Sequence, residues 1–213
     1  MLVDLSMPLS PASIPVPGHP SPAFEPLHLI ERDGLRNTVV TLSLHTATHI
    51  DAPSHFIDDG ATIDEIPVDR FRRRGVRLDL TGCEPGAPIG RSDLEGAGFD
   101  ASASRDAILM LASGWTDRAW TTPELYGGNP YLAPDAAEVV AAAGPSAIGL
   151  DFAVDAGRPW PNHTVLLGAE VLLIENLLGI AGLPPDGFTV YAFPLRVAGE
   201  NGSPARVIAE LPG

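Results

Sequence analysis

The chain has 213 residues, 45% of them hydrophobic, with 27 acidic against 13 basic side chains and a net charge of −14. The length points to one domain over residues 1–213, with enough apolar material for a sizeable core. The acidity disfavours phosphate backbones as partners, no apolar run approaches membrane-spanning length, and no basic start leads into an apolar stretch; a cytoplasmic chain without nucleic-acid or membrane contacts is expected.

All basic residues are Arg, which excludes a P-loop and Schiff-base chemistry, both of which need a lysine amine. There is no Gly-x-Ser-x-Gly elbow, which weakens a serine-hydrolase reading. The lone Cys83 offers neither an internal disulfide nor zinc-finger spacing.

In chain order, the first element is a proline-rich arm over residues 1–37. Seven prolines between Pro8 and Pro26 forbid a helix or a central strand, so an extended surface segment is expected. His19 and His28 on this arm read as surface residues. Thr38 to His45 alternates Val40, Leu42 and Leu44 with Thr41, Ser43 and His45, the pattern of a half-buried strand. Arg70-Phe71-Arg72-Arg73-Arg74 reads as a solvated basic turn ahead of the next strand. Apolar strand runs follow at Val76 to Leu80, Ile108 to Ala112, Ala147 to Leu150, Val171 to Ile174, Val190 to Phe193 and Arg206 to Ala209. Asp135 to Ala143 is the clearest helix, closed by Gly144, and His163 to Leu167 fits a short helical turn. The fold class is therefore α/β, a mostly β core with flanking helices.

The segment His45-Thr46-Ala47-Thr48-His49-Ile50-Asp51-Ala52-Pro53-Ser54-His55 holds three of the six histidines. Odd-numbered residues share one face of a strand, so His45, His49 and Asp51 can converge on one point if the chain curls; on a helix they would not. Imidazole and carboxylate suit Zn²⁺, Mn²⁺ or Fe²⁺, and a set of two His and one Asp leaves positions open, as a catalytic site does. The plainer alternative is three histidines satisfied by hydrogen bonds. Pro53 ends any regular ladder, which puts His55 on a loop just past the site.

His-x-x-Thr-His-x-Asp-x-Pro-x-His is similar to the signature of the cyclase family, which contains bacterial kynurenine formamidase and isatin hydrolase. Ala47 stands where that pattern has Gly. Val3-Asp4-Leu5-Ser6, Gly60 to Pro67, Gly114-Trp115 and Gly202 to Arg206 resemble further landmarks, so the likeness spans nearly the whole chain. The resemblance implies a swivelling β/β/α domain, a homodimer or larger homo-oligomer, and one or two divalent ions, Zn or Mn. It implies a first ion on His45, His49 and Asp51, and a second on Asp51 with His163 and Glu175. Glu175 follows four apolar residues, where a charge needs compensation unless the strand simply ends in water. It implies proton transfer by His55, whose alternative role is a hydrogen-bonding neighbour or a further ligand. Asp151 and Asp155 could orient the ligands, or cap a turn.

The implied activity is that of an arylformamidase, hydrolysing N-formylkynurenine to kynurenine and formate in tryptophan catabolism with hydroxide generated at the metal. Isatin hydrolase-like opening of a cyclic amide, and a metal-binding protein without turnover, are the alternatives. The small-molecule partner would be an aryl amide, with Trp115, Trp160, Phe24 and Tyr126 as candidates for an aromatic wall.

Overall fold

Period-two alternation decides this architecture. Ile108-Leu109-Met110-Leu111-Ala112 is buried throughout, yet its residues divide between two cores. Ile108, Met110 and Ala112 join one apolar cluster, and Leu109 and Leu111 the other. In the structure, a computed structural model describing residues 1–213, the strands are β1 (Leu2–Asp4), β2 (Ala23–His28), β3 (Asn37–Thr41), β4 (His49–Asp51), β5 (Arg72–Asp79), β6 (Pro88–Ile89), β7 (Ile108–Ala112), β8 (Tyr131–Leu132), β9 (Ala147–Leu150), β10 (Leu172–Glu175), β11 (Phe188–Pro194) and β12 (Gly202–Glu210). The helices are α1 (Ile30–Asp33), α2 (Arg91–Gly96), α3 (Ala101–Ser104), α4 (Trp115–Ala119), α5 (Pro134–Ala143) and α6 (Pro161–Gly168).

The main sheet runs β1-β12-β11-β5-β7-β9-β10-β4, and β4 pairs back onto β12. Those pairings close every strand from β12 to β4 into a ring, with β1 lying along β12 beyond β4. Strands β5, β7, β9 and β10 are mutually parallel; β4, β11 and β12 enter antiparallel. One face of the ring strands (Ile50, Met110, Ile174, Val190, Val207) fills the barrel interior. The opposite face of β7, β9 and β10 (Leu109, Ile148, Leu173) packs under Leu94 of α2, Val140 of α5 and Leu166 of α6. The mixed α/β class, a mostly β core with flanking helices, is the one anticipated from the apolar runs; the closure of the sheet into a barrel is not written in them. No helix is long and apolar enough to cross a membrane.

Two expectations are corrected. The alternation at 38–45 does not make a half-buried strand: β3 stops at Thr41, is exposed along its whole length, and pairs only with β2. Alternation gives a two-faced strand but does not say that anything covers either face. The arginine run is a turn only as far as Phe71, with Arg72 and Arg74 exposed on the strand that follows. Arg72 to Arg74 lie in β5, and the Arg70 guanidinium donates to the carbonyls of Ser146 and Glu170, tying a turn to the start of β9. The helix at 134–143 ends as its sequence indicates, with Gly144 at φ 67°.

Candidate metal centre

In β4, His49 and Asp51 share one face while Ile50 enters the barrel interior. Antiparallel pairing sets Glu175 of β10 directly opposite His49, the closest cross-strand position, so their side chains leave the sheet together. They leave on the face that the helices cover, and His163 of α6 approaches from that layer. The site therefore lies outside the barrel, between strand ends and α6. His45 comes from the turn before β4 rather than from a strand. The Thr48 hydroxyl fixes that turn, accepting from the Met7 N–H (2.8 Å) and donating to the Asn176 carbonyl (2.7 Å).

The structure brings all five candidate ligands together. His45, His49 and Asp51 form one set of donor atoms and Asp51, His163 and Glu175 a second, each mutually within 4.8 Å. Asp51 belongs to both. Its Oδ1 lies 2.7 Å from His45 Nδ1 and 3.3 Å from His49 Nε2, and its Oδ2 lies 3.8 Å from His163 Nε2. Glu175 lies 3.6 Å from His49 Nε2 and 3.5 Å from His163 Nε2.

The far nitrogen of each imidazole is engaged elsewhere. His49 Nδ1 meets the Ala47 carbonyl at 2.8 Å, His163 Nδ1 meets Asp155 at 2.6 Å, and His45 Nε2 meets Asn201 Oδ1 at 2.8 Å. Each outer group is an acceptor, so with a cation between the rings and the carboxylates each ring N–H would point outward and its lone pair inward. Asp155 is thus an orienting partner, and it also accepts the backbone N–H of Asn162 and His163. Asp151 is not: it accepts from Ser113 N, Ser113 Oγ and Gly114 N, and touches no ligand. It shapes the turn after β7, and burial pushes it up to about 6 against those donors.

The buried carboxylates are balanced by imidazoles. Burial alone would raise Asp51, but the His49 and His45 rings hold it well below the ordinary carboxylate value. Burial opposes charge on His49 and His163 as well, yet Asp51 lifts His49 to about 9, and Asp155 with Glu175 lift His163 to about 10. No arginine pairs with Asp51 or Glu175; imidazoles alone face them. A buried carboxylate compensated only by rings that can surrender their protons offers donor atoms that could hold a divalent cation.

His55 lies in the single turn Pro53–His55 and stacks on His45, ring centroids 4.0 Å apart and 20° from parallel. Burial drives it down to about 4, so the ring is neutral at pH 7.

Ala47 occupies the left-handed region at φ 57°. Its carbonyl accepts from both His49 Nδ1 and Asn176 Nδ2. Left-handed backbone costs an alanine about 1–2 kcal/mol, partly offset by glycine's greater unfolded-state freedom. Ala47→Gly is expected to raise stability by about 0.5–1 kcal/mol, read as a higher urea midpoint with metal content unchanged. A lower midpoint would show that the alanine is unstrained. Close approach recurs at Gly202, where a Cβ would stand 2.7 Å from the Ile50 carbonyl and 2.9 Å from His45 Cε1.

These groups open into a cavity of about 640 Å³. Of the four aromatics proposed for its wall, Tyr126 and Trp160 line it; Trp115 is buried in the core with its indole N–H on the Leu125 carbonyl, and Phe24 lies in the outer hairpin. Phe56 and Phe152 complete the wall. His19, expected at the surface, faces the cavity from the proline-rich arm and bonds Ser43 Oγ through Nδ1 at 3.1 Å. Phe56 carried a sequence signal, its adjacency to His55; Asn201, Phe152 and His19 carried none.

Residues 3–156 match the sequence profile of the cyclase family. A kynurenine formamidase from Salinibacter ruber is 29% identical over 215 residues, covering 97% of this chain and 96% of its own. Isatin hydrolase A from Labrenzia aggregata, bound to benzyl benzoate, superposes with a TM-score of 0.87 at 25% identity, covering 99% of this chain and 93% of its own. A structure described as a potential metal-dependent hydrolase with cyclase activity superposes at 0.78 and 24% identity, covering 98% and 96%.

Proposed function

This chain belongs to the cyclase family, and we propose on that footing that it is a metal-dependent hydrolase of non-peptide C–N bonds, acting on aryl formamides. The observation that carries the reading is the sharing of Asp51 between two ligand sets whose imidazoles are each held by an outer acceptor. His45, His49 and Asp51 would hold one divalent ion, and Asp51, His163 and Glu175 a second. Such ions, when bound, acidify water toward neutrality and polarise a carbonyl oxygen.

The rest of the chemistry falls to the chain's own side chains. The wall of Phe56, Phe152 and Trp160 holds an aryl ring and restricts bulk water. His55, neutral and stacked beside the ligands, accepts a proton as water adds to the formyl carbon. As the C–N bond breaks, the same imidazole returns that proton to the departing nitrogen, leaving formate and an aryl amine. Removing such an acid–base group costs typically about 10²- to 10⁴-fold.

His55→Ala is expected to lose turnover by that factor while binding metal in the wild-type amount, measured by elemental analysis of the assayed sample. Loss of metal would instead make His55 a ligand. Opening of a cyclic amide is the second reading, supported by the superposition on isatin hydrolase A. N-formylkynurenine and isatin assayed side by side decide between them. Turnover of neither by metal-loaded protein would remove both.

A further inference from the structure

Arg158 is exposed and lies with its guanidinium 4.5 Å from the centre of the Trp160 ring. No carboxylate of the chain pairs with it, although the net charge is −14. Trp160 holds it there at a conformational cost: this bulky aromatic sits in the left-handed region at φ 59°, which L-residues enter only where surrounding structure imposes it. The ring faces belong to a row. His163, a candidate ligand, stacks on Phe56 at 4.6 Å; Phe56 meets Trp160 edge-on at 6.0 Å; Trp160 carries Arg158. The row leads from the carboxylate-rich centre to a cation at the exposed end. Between them the cavity wall contains Asp51, Asp155 and Glu175 but no arginine; Arg158 lies outside that lining and meets the cavity only through the Trp160 ring, which does line it.

A guanidinium stacked on an aromatic face keeps its N–H edge free for a planar anion, and is more easily desolvated than an ammonium. An aryl group lying along Phe56 and Trp160, with its amide at the candidate ligands, would bring its opposite substituent to the Trp160 end of the cavity, next to the residue that carries Arg158. We propose that Arg158 is a specificity-determining residue that selects substrates bearing a carboxylate on the far side of the aryl ring from the scissile amide. This rests on the pocket being the substrate site of an amide hydrolase. Without such a cation, the acidic chain would repel an anionic substrate from everything but the metal.

Phenylbutyrate and the neutral phenylbutyramide, titrated into metal-loaded protein by calorimetry, test this without turnover. The wild type should bind the acid about three- to tenfold tighter than the amide, as for a partly exposed ion pair with bidentate geometry. R158Q should abolish that preference and leave the amide's affinity unchanged; R158K should restore part of it. Equal affinities in the wild type, binding of neither probe, or a preference that survives in R158Q because the metal holds the carboxylate would each overturn the proposal. Turnover of aryl formamides separates it from the hydrolase reading. Carboxylate preference without turnover would leave Arg158's role standing and fell the activity, and turnover without preference would do the reverse.

Discussion

The Asp51→Asn variant is expected to lose divalent metal from both ligand sets while keeping its fold. Asp51 is 1% exposed and is the one side chain common to both sets. One carboxylate oxygen faces His45 and His49, and the other faces His163. Asparagine keeps the shape but removes the negative charge, and its amide N–H₂ has no lone pair to offer a cation on one side or the other. Loss of a ligand that serves both ions should weaken metal binding by at least the roughly 10- to 100-fold seen when mere outer partners are removed. Turnover should fall by about 10³-fold or more, since a bound ion contributes several kcal/mol to the barrier. The fold should survive, because Ile50 and the barrel interior behind β4 are untouched. His163→Ala is the informative contrast: it removes a ligand of one set and leaves His45, His49 and Asp51 intact, so metal stoichiometry should fall by one ion where Asp51→Asn removes both. A folded Asp51→Asn protein with wild-type metal content would dismiss this centre.

What could be read from the sequence divides by physical range. The convergence of His45, His49 and Asp51 is legible because their spacing is local and few other pressures gather imidazoles so closely. Strands β7 and β9 were bounded correctly at Ile108–Ala112 and Ala147–Leu150, because strands buried on both faces read as unbroken apolar runs. Glu175 stood out as a charge ending such a run. The failures are all questions of what lies opposite. Val40 alternates with Thr41, but nothing packs on β3. Asn201 anchors His45 across 156 residues, and only the pairing of β12 with β4 brings it there. Asp151 and Asp155 looked alike as acids after a strand. Four residues of separation put one on the Ser113 turn and the other on His163. The Gly-to-Ala departure at 47 raised the question of positive φ, and only the backbone could answer it.

The second large effect is in pH. Without metal, the buried carboxylates keep His49 protonated to about pH 9 and His163 to about pH 10, whereas unfolded histidine titrates near 6.5. Between those values the native state holds more protons than the unfolded state. Metal-free protein should therefore be stabilised fully below about pH 6.5 and lose that stability as pH rises toward 9–10. For His49 the loss is roughly 3 kcal/mol. Metal binding reverses the sign of the problem, because the rings ligate only when neutral and the ion replaces their protons. The affinity for each ion should rise by up to about one decade per pH unit below pH 9, for the one raised histidine in its set that gives up a proton. Calorimetry in buffers of differing ionisation enthalpy should show that proton release directly. Thermal melts of chelator-treated and metal-loaded protein should then diverge as pH is raised from about 6.5 to about 9, the metal-free curve falling while the loaded one holds. A gap that stayed constant or closed over that range would mean that His49 and His163 do not carry the displaced protons, and that the ion, if bound, is held elsewhere.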